Sequence, residues 1–234
     1  MVKRSANIWA LPIENGKRSG MSIGNETLQV ILVVISSYLL GSLPTAYLIG
    51  RLHRINIFEV GSGNMGTTNV LRQFGLAWGL FVFFIDAVKG VAAILLAHAI
   101  MPQATTTASV IAAICVIIGH NWSLFVTILT GAIRGGKGAA TAFGTVLMIA
   151  PFQLIAAICV AGALVIALTR YVSLGVLVMV TISALWMIVL ISQSAIAWEY
   201  GFYVLAVGLL ILWRFRGNIQ RLMAGTERRL GERT

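Results

Sequence analysis

Long apolar runs separated by short polar links set the plan of this 234-residue chain. The runs cover positions 28–49, 76–100, 106–131, 139–168, 174–191 and 200–213. About 20 apolar residues carry a helix across bilayer hydrocarbon, so such runs predict membrane-crossing helices. The run 139–168 is too long for one straight crossing and contains Pro151. An interior proline ends or kinks a helix, so the run divides there into two crossings, the first short and tilted or incompletely spanning. The run 106–131 is interrupted by Gly119-His120-Asn121-Trp122 and reads equally as one tilted helix or as a helix followed by a re-entrant segment. The pattern predicts an all-α membrane protein of about seven transmembrane helices in one domain, residues 28–214. A polar N-terminal extension, 1–27, precedes it and a basic cytoplasmic tail, 215–234, follows.

Hydrophobic residues make up 59% of the chain and charged residues 10%, with a mean hydropathy of +0.93, far outside soluble usage. A net charge of +10 would suit nucleic acid if it were gathered on one patch. The basic residues instead stand between apolar runs and mark membrane edges, so membrane lipids replace nucleic acid as partners. In the order above, Arg51, Arg54, Arg72, Arg134, Lys137, Arg170 and Arg214 fall on one side, while the links near 101–105, 151 and 192–199 hold no Lys or Arg. The positive-inside rule makes that side cytoplasmic, with the N-terminus out, the C-terminus in and the glycine-rich loops on the cytoplasmic face of the cell membrane. Lys3, Arg4, Lys17 and Arg18 oppose this orientation; Met21, just ahead of the first apolar run, is a candidate native start that would remove them. Cys115 and Cys159 lie in apolar runs without metal-ligand spacing and read as small buried hydrophobes; neither metal nor cofactor is expected.

Candidate chemistry concentrates in polar segments that an oily chain keeps only where it must. The richest is Gly61-Ser62-Gly63-Asn64-Met65-Gly66-Thr67-Thr68-Asn69, followed by Arg72. Its glycines let backbone approach a ligand, its Ser, Asn and Thr side chains donate hydrogen bonds, and Arg72 can fork onto an oxyanion. A short helix starting near Thr67 would aim its amides at the same anion. Ser42 and Arg51 flank the proline break at Pro44, and Arg134-Gly135-Gly136-Lys137-Gly138 forms a second cationic loop. Each segment alone is also explained as a surface turn or an interfacial anchor, but their convergence on one face describes a lipid-phosphate site. Asp86 and Lys89, three apart on one helix, read as a structural ion pair orienting that site. His120 is the candidate general base among the polar segments. A transporter or flippase of a phosphorylated metabolite or lipid is the alternative, though the chain shows no internal repeat and its polar segments cluster on one side. A noncatalytic scaffold would not need three cationic glycine loops.

Taken in order, Gly41-Ser42 through Arg51, the Gly61–Asn69 loop with Arg72, Asp86-Ala87-Val88-Lys89-Gly90, Gly119-His120 with Gly135-Gly136-Lys137-Gly138, Arg170-Tyr171-Val172-Ser173-Leu174, and Asn218-Ile219 with Arg221-Leu222 resemble the successive signatures of one family. It is the bacterial acyl-phosphate:glycerol-3-phosphate acyltransferase (PlsY) family of phospholipid synthesis. The resemblance implies a seven-helix inner-membrane enzyme without metal or nucleotide. Such an enzyme moves a fatty acyl group from acyl phosphate to the 1-hydroxyl of glycerol 3-phosphate and yields lysophosphatidate. A soluble enzyme on the cytoplasmic side would supply the acyl phosphate. By position, Ser42, Arg51, Ser173 and Asn218 would bind phosphate, and Gly61, Ser62, Gly63, Asn64, Gly66, Thr68, Asn69 and Arg72 would seat substrate. His120, Gly135, Gly136 and Lys137 would form a mobile loop over the reacting groups, with Arg51, His120 and Lys137 catalytic. Two features depart from the family. The interval from His120 to Lys137 is longer than usual, and Phe215 stands where the family usually has histidine.

Overall fold

The computed structural model describes residues 23–232 and contains, among these, ten helices and no strand. They are α1 (Ile23–Ser42), α2 (Thr45–Leu52), α3 (Thr67–Phe74), α4 (Leu76–Ile100), α5 (Thr105–Asn121), α6 (Leu124–Thr130), α7 (Ala139–Ile149), α8 (Phe152–Thr169), α9 (Val172–Ser192) and α10 (Tyr200–Met223). The proposed start at Met21 and most of the N-terminal extension lie outside the described residues, and the first helix begins at Ile23, before the predicted Leu28. Among the described residues six helical segments are long and apolar enough to cross a membrane: α1 with α2, α4, α5 with α6, α8, α9 and α10. The fourth of the seven predicted spans is α7, whose 11 residues reach about 16 Å at 1.5 Å per residue. That is roughly half of the 30 Å hydrocarbon core. The last span, expected to end at Trp213, continues as helix to Met223 with Phe215 and Asn218 buried.

Two of the spans are broken, and the breaks are sewn to each other. Pro44, with no N–H to give, separates α1 from α2. The exposed Leu43 carbonyl takes Lys89 Nζ at 2.5 Å, Lys89 pairs with Asp86 Oδ1 at 2.6 Å, and Thr45 Oγ1 donates to the same carboxylate oxygen at 3.3 Å. The Asp86–Lys89 pair therefore ties α4 to the break. In the third span the helix stops at Asn121 and resumes at Leu124, with Ser123 as N-cap accepting from Val126 N. Ser123 Oγ also donates to Ser42 O at 2.5 Å, and Ser42 Oγ donates to Tyr38 O at 2.8 Å while accepting from Leu124 N. Backbone groups freed inside a membrane need such partners, because no water is there to take them.

The main core joins α1, α4, α5, α7 and the C-terminal helices through residues such as Val33, Ile94, Val116, Ile117, Leu154 and Ile211. A second core of Ala46, Ile49, Ile57, Met65, Val70, Val82 and Val126 lies under residues 53–66 and pins that long loop. Outward-facing Leu168, Phe152 and Leu205 leave a broad apolar surface of the kind lipid covers. Cys159 is exposed and Cys115 only half-buried, which corrects the reading of both as core residues: the faces of α8 and α5 that carry them are not closed by neighbouring helices.

Candidate active site

Residues 61–66 turn back on themselves around a single side chain. Asn69, buried in α3, donates from Nδ2 to the carbonyls of Ile57, Val60 and Asn64 at 3.0, 3.2 and 2.9 Å, and its Oδ1 accepts from Ser62 N at 3.1 Å. Gly61 has φ +59° and packs so tightly on Asn69 that an added Cβ would strike Oδ1. The helix α3 starts at Thr67, as the sequence predicts, and presents Arg72 one turn later. Facing it, Gly135 and Gly136 lie flat against the end of α5. A Cβ at Gly136 would run into the His120 ring, and Gly136 N donates to His120 O at 2.9 Å. Arg214 of α10 clamps the Gly136 carbonyl through Nε and Nη2. These contacts project Lys137 inward.

Lys137 Nζ donates to Asn218 Oδ1 at 2.5 Å, and Asn218 Nδ2 donates to Glu227 Oε1 at 2.6 Å. Ser173 Oγ donates to the same Glu227 oxygen at 2.8 Å, and Arg221 Nε to the other at 2.7 Å. Residues beyond α10 thus fold back over the site, and Arg228 O accepts from Arg72 at 2.8 Å. Glu227 and Arg214 were not singled out from sequence. Glu227 is one of two acids, with Glu232, in an otherwise basic tail, and nothing local sets it apart.

Between these elements lies a cavity of about 1080 Å³. Its polar end brings together Gly61, Ser62, Asn64, Gly66, Thr68, Asn69, Arg72, His120, Lys137, Ser173 and Asn218, along with Thr67, Asp86, Arg214, Arg221 and Glu227. Its other end is apolar and runs among α4, α7, α8, α9 and α10 past Phe143, Val146, Val176 and Val207. Ser42, Arg51, Gly63, Gly135 and Gly136 do not line it. Ser42 is spent on the helix breaks, Gly63 (φ +64°) makes a turn, and Arg51 is exposed on α2.

Charge at the polar end is strongly positive. Burial, then the neighbouring Arg221 guanidinium, push the Lys137 ammonium down to about 8 against the upward pull of Glu227. Burial likewise lowers Arg72, which Glu227 partly offsets. Burial would raise Glu227, but hydrogen bonds from Ser173, Asn218 and Arg221 outweigh it and hold the carboxylate below its usual range. Thr67 Oγ1, Arg72 Nε and His120 Nδ1 are buried at this end without a hydrogen-bond partner. Buried polar atoms are rarely left so, and these three share one cavity. His120 Nδ1 stands 3.9 Å from Asp86 Oδ1. Among the described residues no three His, Cys, Asp or Glu side chains gather as a metal ion would require.

The family profile described as glycerol-3-phosphate acyltransferase matches residues 31–225. A glycerol-3-phosphate acyltransferase of Halalkalibacterium halodurans is 39% identical over 204 residues, covering 86% of this chain and 96% of that protein. The crystal structure of PlsY, an integral membrane glycerol 3-phosphate acyltransferase, superposes in its glycerol 3-phosphate form with a TM-score of 0.76 at 32% identity, covering 86% of this chain and 96% of that one. Its lysophosphatidic acid form gives 0.74 at 31% identity, covering 86% and 95%. A match over most of the chain, by sequence and by fold, makes this protein a member of the glycerol-3-phosphate acyltransferase family of integral membrane enzymes.

Proposed function

We propose that this enzyme transfers a fatty acyl group from acyl phosphate to the 1-hydroxyl of glycerol 3-phosphate, releasing lysophosphatidate and inorganic phosphate. The observation that carries the reading is one cavity with two characters: a cationic end with three unpartnered buried polar atoms, and an apolar end opening among the helices. A phosphorylated polar reactant and an acyl chain fit those ends respectively. The chain crosses the membrane seven times in this reading, with α7 as the short fourth crossing, the N-terminus outside and the site on the cytoplasmic side. A soluble enzyme there supplies the acyl phosphate.

The hydroxyl oxygen attacks the acyl carbon, the bond from that carbon to the phosphate oxygen breaks, and the electron pair leaves with phosphate. The mixed anhydride is already activated, so orientation and neutralisation of charge supply the acceleration. Lys137 and Arg72 face the leaving phosphate and the developing oxyanion. The hydroxyl proton passes to a phosphate oxygen or to His120, which lines the cavity with its Nδ1 unpartnered. Glu227 positions the site by holding Asn218, which in turn steadies Lys137. Ser42 fixes the helix breaks on which His120 and the second loop rest, and the exposed Arg51 draws dianions toward the mouth.

Purified protein given palmitoyl phosphate and labelled glycerol 3-phosphate forms labelled lysophosphatidate. A folded preparation that forms none overturns the reading. Near-normal turnover by His120→Ala assigns the proton to the phosphate and removes His120 as the base.

A further inference from the structure

The apolar end of the cavity has a floor. On α10 the lining runs from Asn218 down to Tyr203, and on α9 from Ser173 to Met187. These 15 and 14 residue steps measure about 22 and 21 Å at 1.5 Å per residue. That depth matches an extended acyl chain of the palmitoyl to stearoyl class, and it exceeds the roughly 15 Å of a single leaflet's hydrocarbon. At the bottom Met187 is 1% exposed and Tyr203 3%, so neither opens onto lipid. Tyr203 OH and Thr145 Oγ1 are hydrogen-bonded at 2.8 Å, which ties α10 to α7 across the end of the groove. Just above the floor, α9 presents the small residues Ser183 and Ala184 to the groove. The walls are therefore small-residued and largely apolar, and the end is closed by a bulky buried pair that belongs to the main core.

From this geometry we infer that Met187 and Tyr203 form a stop that sets the longest acyl chain the enzyme uses, with Ala184 leaving room for the last methylenes. The inference rests on the acyl-transfer reading above and adds the residues that select chain length. Each methylene that finds apolar contact instead of water gains about four-fold in affinity, and one that meets the floor gains nothing or forces the chain to bend. Specificity should accordingly climb with each methylene up to the fitting length and level off or fall beyond it.

The test uses the purified full-length enzyme and compares kcat/KM for lauroyl, myristoyl, palmitoyl and stearoyl phosphates at fixed glycerol 3-phosphate. Ala184→Phe places a ring in the lower groove and lowers the stearoyl-to-lauroyl ratio about 10-fold or more, the loss of two or three methylene contacts. Met187→Ala lowers the floor and raises the ratio, and Tyr203→Phe, which removes only the hydroxyl that holds α7, raises it by less. Val160→Trp adds equal bulk to the lipid-facing side of α8, where Val160 is 67% exposed, and leaves the ratio as in the parent. Ratios that stay the same in Ala184→Phe and Met187→Ala while both enzymes turn over would overturn the stop and leave acyl transfer standing. Absence of turnover by the parent with every acyl phosphate would overturn both together. Because each value is a ratio within one variant, a partly unfolded preparation does not imitate either result, and Tyr203→Phe retains the test if the bulkier changes prevent folding.

Discussion

Lys137 should impose an alkaline limit on catalysis that an ordinary lysine would not. Its pKa lies at about 8 instead of 10.5, because burial removes water from the ammonium and Arg221, Arg214 and Arg72 add like charge that Glu227 only partly cancels. The displacement corresponds to about 3 kcal/mol against the charged form. The charged form is the one that can hold a phosphate, so the sign is fixed. Substrate capture by the free enzyme is at its plateau below the pKa and falls as pH rises through it. At about one pH unit above the pKa roughly a tenth of the enzyme retains the ammonium, and kcat/KM for glycerol 3-phosphate should be down about 10-fold. A bound dianion favours the ammonium, so the corresponding limb in kcat should lie at higher pH than that in kcat/KM. The assay is product formation from palmitoyl phosphate across neutral to alkaline pH, corrected for spontaneous hydrolysis of the donor. Lys137→Arg supplies the control: a guanidinium does not deprotonate in this range, so the limb should vanish even if the plateau drops through poorer fit to Asn218. A parent profile flat through about pH 10, or a limb that survives Lys137→Arg, would show that the ammonium is not the phosphate-holding group.

Three further outcomes follow from single contacts. Asp86→Asn leaves Lys89 buried with the Leu43 carbonyl as its remaining partner and should cost about 3–5 kcal/mol in detergent unfolding, whereas Asp86→Asn combined with Lys89→Met recovers most of that loss. Asn69→Ala removes the acceptor of Ser62 N and the donor to three carbonyls, so kcat/KM for glycerol 3-phosphate should fall about 10- to 100-fold, mainly through KM; an unchanged KM would mean that the loop holds its shape without the amide. Phe215→Leu takes away the ring 5.1 Å from Lys137 Nζ, a cation–π contact of about 1 kcal/mol that favours the ammonium, and should move the alkaline limb of kcat/KM to lower pH by less than one unit; a limb that stays in place refutes the contact.

How much of this was legible in the sequence depends on what each polar residue spends its atoms on. The Gly61–Asn69 segment stood out because a polar run is costly in an apolar chain, and the cavity does lie against it. Residue type did not reveal which members face the ligand and which serve the backbone. Asn69 and Ser42 look alike in sequence as hydrogen-bonding groups in glycine-containing segments, yet Asn69 organises the loop and Ser42 satisfies groups freed at two helix breaks, as a broken span in hydrocarbon requires. Helical phase would have separated the arginines. On α2 the buried stripe is Ala46, Ile49 and Gly50, which turns Arg51 one position off it and outward. On α10 the stripe is Ile211, Phe215 and Asn218, and Arg214 sits beside it, close enough to clamp Gly136. Phase fails for Glu227. Its partners Ser173 and Asn218 stand 54 and 9 residues away, and they meet it because the chain reverses after α10. An acid in a basic tail is ordinary on a solvated surface, so no local pattern marks it. What marks it is the neighbourhood: three donors converging on one carboxylate at the mouth of a cationic cavity, where without it Arg221, Arg72 and Lys137 would repel one another unopposed.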